Sequence, residues 1–100
     1  MTTDRFQTVS QFVQPLLFSL ISRLLPSGRR EGRYWVALNP TRADRKRGSF
    51  KVNLMTGAWR DYATGDGGGD VISLYAYVYG LKQSQALGLI EQQAGISNDR

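Results

Sequence analysis

The sequence predicts an α+β fold class, with a three-stranded antiparallel sheet, two C-terminal helices and an N-terminal amphipathic helix. Three observations support this prediction. Apolar residues recur every three or four positions from about residue 6 to 25, which is typical of an amphipathic helix. Residues 49–54 alternate polar and apolar side chains, and after a glycine turn residues 58–62 return as the second strand of a hairpin. The almost wholly apolar residues 70–79 follow a glycine-rich stretch and predict a buried helix.

The N-terminal helix is defined by its apolar stripe. Pro15 interrupts this stripe, and because its ring removes an N–H donor and crowds the preceding turn, we expect a kink or a fresh helix start at Gln14-Pro15. Two interpretations of the stripe are open: it faces the core, or it stays exposed until a partner subunit covers it. The stripe consists of Phe6, Val9, Val13, Leu16, Leu17, Leu20, Ile21 and Leu24.

Three strands are expected after this helix. The first is the aromatic and aliphatic segment Tyr34 to Leu38, which Asn39-Pro40 ends. The other two form a hairpin from Ser49 to Tyr62, and its turn at Met55-Thr56-Gly57 supplies a glycine where positive φ is favoured. We expect these strands to pair as one antiparallel sheet.

Capping residues bound the two C-terminal helices. Asp70 is expected to cap the N-terminus of the apolar helix, which ends near Tyr79 with Gly80 as its C-cap. Because this helix is apolar nearly all round, we expect the sheet to cover one side and the N-terminal helix another. Ser84 is expected to cap the last helix, which runs to Ala94. The tight structural turn before the apolar helix is assigned to Gly65, Gly67, Gly68 and Gly69.

Length and composition limit the classes of function. One hundred residues predict a single small domain: an N-terminal helix and connector (1–28), a sheet and helix unit (29–96) and a tail (97–100). With no Cys and no His, the chain lacks the residues of disulfides, soft-metal sites and most catalytic bases or nucleophiles. We therefore expect no catalytic residue, no metal and no cofactor. The absence of Cys fits a cytoplasmic location, and residues 15–25 are too short for a membrane span.

Positive charge is concentrated in one part of the chain. Residues 29–60 contain nine of the thirteen Lys and Arg but only Glu31 and Asp44, which gives this part +7, whereas the whole chain carries +5. This favours a polyanionic partner over a merely solvated surface, since the planar guanidinium of Arg suits phosphate. We expect Tyr34 and Tyr62 to stack on bases of a single strand, and Trp59 to lie in the core. The candidate phosphate-binding cations are Arg29, Arg30, Arg33, Arg42, Arg45, Lys46, Arg47, Lys51 and Arg60.

Two other chemistries are disfavoured by the sequence. The glycine stretch lacks the Lys and Ser or Thr that follow in a P-loop, and Asp70 would itself fill the anion position at the helix N-terminus. Asp61, Asp66 and Asp70 could be combined as a hard-metal cluster. However, Arg60 can pair with Asp61, and Asp70 is better used as a cap.

Several short motifs recur in the order found in one family. They are Leu38-Asn39-Pro40, Ser49-Phe50, Val52-Asn53, Trp59 and Gly69-Asp70-Val71-Ile72. Over roughly residues 34–96 the chain resembles the N-terminal zinc-ribbon-type domain of bacterial and phage DNA primases, in the diverged form found in phage and integrated-element primase or primase-helicase proteins. The resemblance places the family's zinc-ligand pairs in the loop from Asn39 to Arg45 and on Tyr62 and Gly65, where there is no Cys or His. It therefore implies a metal-free, zinc-ribbon-like sheet and a role in DNA replication.

The expected function combines the charge pattern with this resemblance. We expect a non-catalytic DNA-binding domain that binds template DNA, most simply single-stranded, and delivers it to a primase catalytic module or a helicase. One alternative is a protein-interaction module that docks on a helicase or forms a homo-oligomer through the N-terminal helix. Another is a basic domain for RNA or duplex DNA, in which phosphate contacts dominate.

Overall fold

Helices pack against one face of a five-stranded antiparallel sheet in the computed structural model, which describes residues 5–41 and 48–95. The helices are α1 (Arg5–Val13), α2 (Leu17–Leu24), α3 (Val71–Tyr79) and α4 (Gln83–Ala94), with a 3₁₀ turn at Gln14–Leu16 between α1 and α2. The strands are β1 (Arg29–Glu31), β2 (Tyr34–Ala37), β3 (Phe50–Asn53), β4 (Trp59–Asp61) and β5 (Gly67–Gly68).

The sheet is a meander, in which each strand pairs with its neighbours in the sequence. The three predicted strands are its centre, β2, β3 and β4. The prediction of three strands is wrong because Arg29–Glu31 pairs with β2 and Gly67–Gly68 pairs with β4. The α+β class is confirmed. The two edge strands escaped prediction because one is wholly polar and the other has no side chains, so neither carries an alternating pattern.

The glycine-rich stretch is divided between a turn and a strand. Gly65 has a φ of +86° in the turn between β4 and β5, a conformation that favours glycine. Gly67 and Gly68, expected in the turn, instead form β5. Gly68 brings the backbone close to α3, since a Cβ there would lie 2.6 Å from Trp59 Nε1 and would clash with Ser73 Oγ. Gly69, by contrast, has open space around the position of a Cβ.

The N-terminal helix kinks at Pro15 as predicted, because the 3₁₀ turn falls there. Most of its apolar stripe packs in the core, which confirms the interpretation that the stripe faces the core, whereas Phe6 at its N-terminal end is 38% exposed. The buried members of the stripe are Val9, Val13, Leu17, Leu20 and Ile21, each at most 3% exposed.

Helix α3 is held between the sheet and the other helices. Asp70 is its N-cap, and its carboxylate accepts the backbone N–H of Ser73 at 2.8 Å, while Gly80 closes the helix in the left-handed conformation. On the sheet side the ring of Tyr77 packs against Phe50 and Trp59. Helices α1, α2 and α4 contact α3 as well. The predicted coverage of this apolar helix from two directions is therefore confirmed.

Helix α4 begins one residue before the predicted cap. Lys82 is the N-cap residue, and Ser84 lies exposed in the first turn. The carbonyl oxygen of the Gln85 side chain accepts the backbone N–H of Lys82 at 2.9 Å, which is half of a capping box. Within residues 5–41 and 48–95 no helix is both long and apolar enough to cross a membrane.

Candidate nucleic-acid interface

The strands of the sheet present one face to the helices and leave the other open. Phe50, Val52 and Trp59 point into the core, and because side chains alternate along a strand, their neighbours Lys51 and Arg60 point to the open face. The pairing register aligns one row of residues across all five strands on this face. The row is Arg29, Val36, Lys51, Arg60 and Gly67.

A shallow groove of about 470 Å³ runs over the open face of β2 to β5. Its wall is formed by two tyrosines, two cations and backbone that glycines leave accessible. Among the described residues that line it there is no Asp or Glu. The lining residues of this open-face groove are Tyr34, Lys51, Asn53, Ala58, Trp59, Arg60, Tyr62, Gly65, Gly67 and Gly68.

The two cations of the open-face groove stand directly opposite each other. Lys51 and Arg60 are paired across β3 and β4. Their charged groups lie 5.9 Å and 5.7 Å from the centroid of the Tyr62 ring. In the described part of the chain, neither forms an ion pair with a carboxylate. Like charges placed directly opposite destabilise a sheet, so a bound anion would relieve a repulsion that the folded protein otherwise retains.

The tyrosines of the open-face groove are accessible, whereas its tryptophan is not. Tyr62 is 66% exposed and Tyr34 is 40% exposed, so both could stack on a base. Trp59 is 6% exposed, and its indole N–H donates to Ser73 Oγ at 2.9 Å. Trp59 therefore lies in the core as expected, and the stacking of Tyr34 or Tyr62 on a base stays a prediction.

Other predicted cations are not brought into the open-face groove. Arg29 lies on the open face but forms an ion pair with Glu31 at 2.9 Å. Arg30 points to the opposite side, with its guanidinium 5.8 Å from the ring centroid of Phe18. Arg33 is exposed in the turn between β1 and β2. Four further predicted cations, Arg42, Arg45, Lys46 and Arg47, lie outside the described residues.

A buried polar network joins the end of β2 to the turn after β4. Asn39, fully buried, donates to Asp61 Oδ2 at 2.7 Å and to the Tyr77 hydroxyl at 2.9 Å. That hydroxyl donates to Asp66 Oδ2 at 2.9 Å. Asp61 is fully buried too, and also accepts the backbone N–H of Ala63. The expected pairing of Asp61 with its neighbour Arg60 is wrong, because adjacent residues of a strand point to opposite faces.

Asn53 lines the groove but is not among the predicted site residues. Its side-chain oxygen accepts the backbone N–H groups of Met55 and Thr56 at 2.7 Å and 3.2 Å, which builds the turn after β3. An Asn at the start of a Met-Thr-Gly turn is a sequence pattern for such a side-chain-capped turn. The pattern does not reveal that Asn53 also lines a groove.

The open-face groove combines two cations with two accessible aromatic rings. Among residues 5–41 and 48–95, no three His, Cys, Asp or Glu lie close enough to hold a metal ion. A scan against known protein families and a search of characterised proteins found no match to this chain.

Proposed function

We propose that the open-face groove binds single-stranded DNA. The observation that carries this proposal is the position of Lys51 and Arg60, directly opposite each other without an ion pair in the described residues, beside the exposed ring of Tyr62. Cations that follow the phosphates and rings that stack on bases are the two components of single-strand binding. None of the lining residues within 5–41 and 48–95 carries a negative charge that would repel a phosphate.

The spacing of the tyrosines fits a short stretch of single strand. Tyr34 pairs with Asn53 at one end of β3, and the backbone N–H of Tyr62 donates to the Ser49 carbonyl at the other end. Four residues along β3 and two strand spacings across the sheet separate the two tyrosines by about 16 Å between Cα atoms. Lys51 lies between them. A single strand of DNA that crosses the groove diagonally would therefore contact one tyrosine ring, then Lys51 and Arg60, and then the second tyrosine ring.

Single strands are favoured over duplexes by the exposed rings. A duplex hides the faces of its bases within the stack and offers a protein phosphates and base edges. A duplex would therefore offer Tyr62 no base on which to stack. A single strand can place a base on each tyrosine while its phosphates reach Lys51 and Arg60.

The resemblance to primase zinc-ribbon domains supports a replication role for this binding. This resemblance rests on the order of the short motifs along residues 34–96. The resemblance assigns the zinc-ligand pairs to the loop that begins at Asn39 and to Tyr62 and Gly65. Hydrogen bonds from Asn39 reach Asp61 and, through the Tyr77 hydroxyl, Asp66, so the same two loops are joined without a metal. We propose that this network takes the structural place of the zinc ion in a metal-free, zinc-ribbon-like domain.

Fluorescence anisotropy with labelled single-stranded and duplex oligonucleotides of equal length tests the proposal. We expect Lys51→Ala combined with Arg60→Ala to weaken single-strand binding and to reduce the slope of log K against log salt by about 1.4, at about 0.7 per cation. The matched control is Arg23→Ala combined with Lys82→Ala, which removes the same charge outside the groove lining. Equal losses in both double variants, or tighter duplex binding in the wild type, would contradict the proposal.

The stacking role has its own matched pair of variants. Tyr62→Ala should cost about 1 to 3 kcal/mol of single-strand binding free energy. Tyr79→Ala removes a ring that is 50% exposed at the end of α3, outside the groove, and should leave binding unchanged. If both substitutions have the same effect, Tyr62 does not stack on a base.

A second candidate function is protein interaction through the N-terminal helix. Phe12 and Phe18 are 52% and 49% exposed on the outer side of α1 and α2. Large apolar side chains that remain exposed on one helical segment are typical of contact surfaces. Sedimentation equilibrium of the wild type and of Phe12→Ser with Phe18→Ser tests self-association. A monomer at all concentrations, unchanged by the substitutions, would exclude a homo-oligomer through these residues.

A further inference from the structure

We propose that Asn53 reads the base that stacks on Tyr34 and selects against adenine. This inference rests on the proposed function, because it concerns the base preference of the same groove. Its basis is the orientation of one side-chain amide, which the turn after β3 holds in place.

Asn53 is placed beside the stacking ring by the strand register. Tyr34 and Asn53 are direct partners across β2 and β3 and both line the groove. The next pair along these strands, Arg33 and Leu54, is the hydrogen-bonded one, because the Leu54 backbone N–H donates to the Arg33 carbonyl at 2.8 Å. Tyr34 and Asn53 therefore form a non-hydrogen-bonded pair, in which opposite side chains approach most closely.

The turn decides which half of the amide is available. Asn53 Oδ1 accepts two backbone N–H groups, those of Met55 and Thr56, so this atom must be the oxygen rather than the nitrogen. The amide NH₂ is then directed away from the turn. No residue in the described ranges accepts a hydrogen bond from it, and the side chain borders the groove. Asn53 thus presents two donors to a bound base and no acceptor.

An amide limited to its donors distinguishes the bases. Asparagine usually recognises adenine with both halves of the amide, since the oxygen accepts from N6 and the nitrogen donates to N7. The turn uses the oxygen of Asn53, so this recognition is blocked. Thymine and uracil offer carbonyl oxygens, and cytosine offers O2 and N3, to the free donors, whereas adenine offers only ring nitrogens and its N6 amino group finds no acceptor on Asn53. Stacking itself tolerates every base, so the preference comes from Asn53.

The test compares the affinities of the full chain for short labelled homopolymers of dT, dC and dA of one length. The key variant is Asn53→Asp, because a carboxylate oxygen can still accept the two turn N–H groups while the donors are replaced by an acceptor. We expect the ratio of dT to dA affinity to fall by about two- to tenfold, the effect of one hydrogen bond. Thr56→Asp places the same charge in the same turn but outside the groove lining, and should leave the ratio unchanged.

Asn53→Ser is the neutral second variant, since its hydroxyl can accept in the turn without offering an amide. The affinity ratio does not depend on the folded fraction of a variant, because both oligonucleotides sample the same active protein. An equal loss of dT and dA affinity in both Asn53 variants would overturn the inference and leave the proposed function intact. If the wild type binds none of the homopolymers, the proposed function fails and this inference fails with it.

Discussion

Replacing the buried Asn39 with alanine should lower the free energy of unfolding by about 2 to 4 kcal/mol. Its amide donates to the Asp61 carboxylate at 2.7 Å and to the Tyr77 hydroxyl at 2.9 Å. Leaving the buried Asp61 oxygen without this donor costs about 1 to 3 kcal/mol, and loss of the bond to Tyr77 costs about 0.5 to 1.5 kcal/mol. The side-chain oxygen of Asn39 also accepts the Thr41 N–H and hydroxyl. Because Thr41 is exposed, water can replace most of that contribution.

Urea unfolding followed by tryptophan fluorescence measures this loss, with an unchanged m value as evidence that only stability has moved. Thr41→Ala is the control at the exposed end of the network and should cost less than about 1 kcal/mol. Tyr77→Phe keeps the ring that packs on Phe50 and Trp59 but removes the hydroxyl.

A double-mutant cycle between Asn39→Ala and Tyr77→Phe should give a coupling energy of about 0.5 kcal/mol or more, since the two groups share a hydrogen bond. If Asn39→Ala costs no more than Thr41→Ala, or if the two effects simply add, the network does not hold the loops together. The idea that it takes the structural place of a metal would then be wrong.

Three further predictions concern the sheet and the core. Lys51→Glu should replace a repulsion with an attraction to Arg60, so the free energy of unfolding should rise by about 0.2 to 1 kcal/mol. The same substitution should abolish oligonucleotide binding. Retained binding would exclude the groove as the binding site. Gly68→Ala should destabilise the fold by about 1 to 3 kcal/mol, because its Cβ would crowd an indole nitrogen and a serine hydroxyl. A Cβ at Gly69 would lie in open space, so Gly69→Ala should be neutral or stabilising by up to about 1 kcal/mol. Equal urea midpoints for the two variants would contradict the close contact of the Gly68 backbone with Trp59 and Ser73. Burial raises the pKa of Tyr75 to about 12 in the folded protein, so ionisation of its hydroxyl opposes folding. The free energy of unfolding is therefore unaffected below the pKa of the unfolded state, near 10, and decreases as the pH rises from there towards 12. Urea midpoints measured across that range should fall less steeply for Tyr75→Phe than for the wild type, and parallel curves would show that Tyr75 is not the titrating group.

The parts of the fold that could be predicted are those whose side chains carry a pattern. Alternation revealed β3, and the apolar stripe with Pro15 revealed the kinked N-terminal helix. Capping chemistry located α3, because Asp70 and Gly80 act through local backbone geometry. The edge strands β1 and β5 depend on backbone pairing with a neighbour that is already in place. Pairing of this kind leaves no periodic trace in a polar or glycine segment.

The sequence predicted which types of residue form the candidate site but not how they are arranged. Charge and aromatic content pointed to the groove residues Lys51, Arg60, Tyr34 and Tyr62, but the same criteria also selected Arg30, which the strand alternation turns to the other side. Whether a cation is available depends on its neighbours in space, as the ion pair of Arg29 illustrates. The buried network around Asn39 escaped prediction for a related reason, since its members are up to 38 residues apart in the sequence.

Stability and recognition are assigned to opposite faces of the same strand, and the turn after β3 links them. Phe50 and Val52 are fully buried, while Lys51 and Asn53 line the groove. A slip of one residue in register would exchange these two sets, placing a cation in the core and a phenylalanine in the groove. The side-chain oxygen of Asn53 accepts two backbone N–H groups of the turn after β3, and Asn53 itself lines the groove. If the proposed base preference is correct, Asn53 serves both the turn and the groove, so its variants need the affinity ratio for recognition and the urea midpoint for stability.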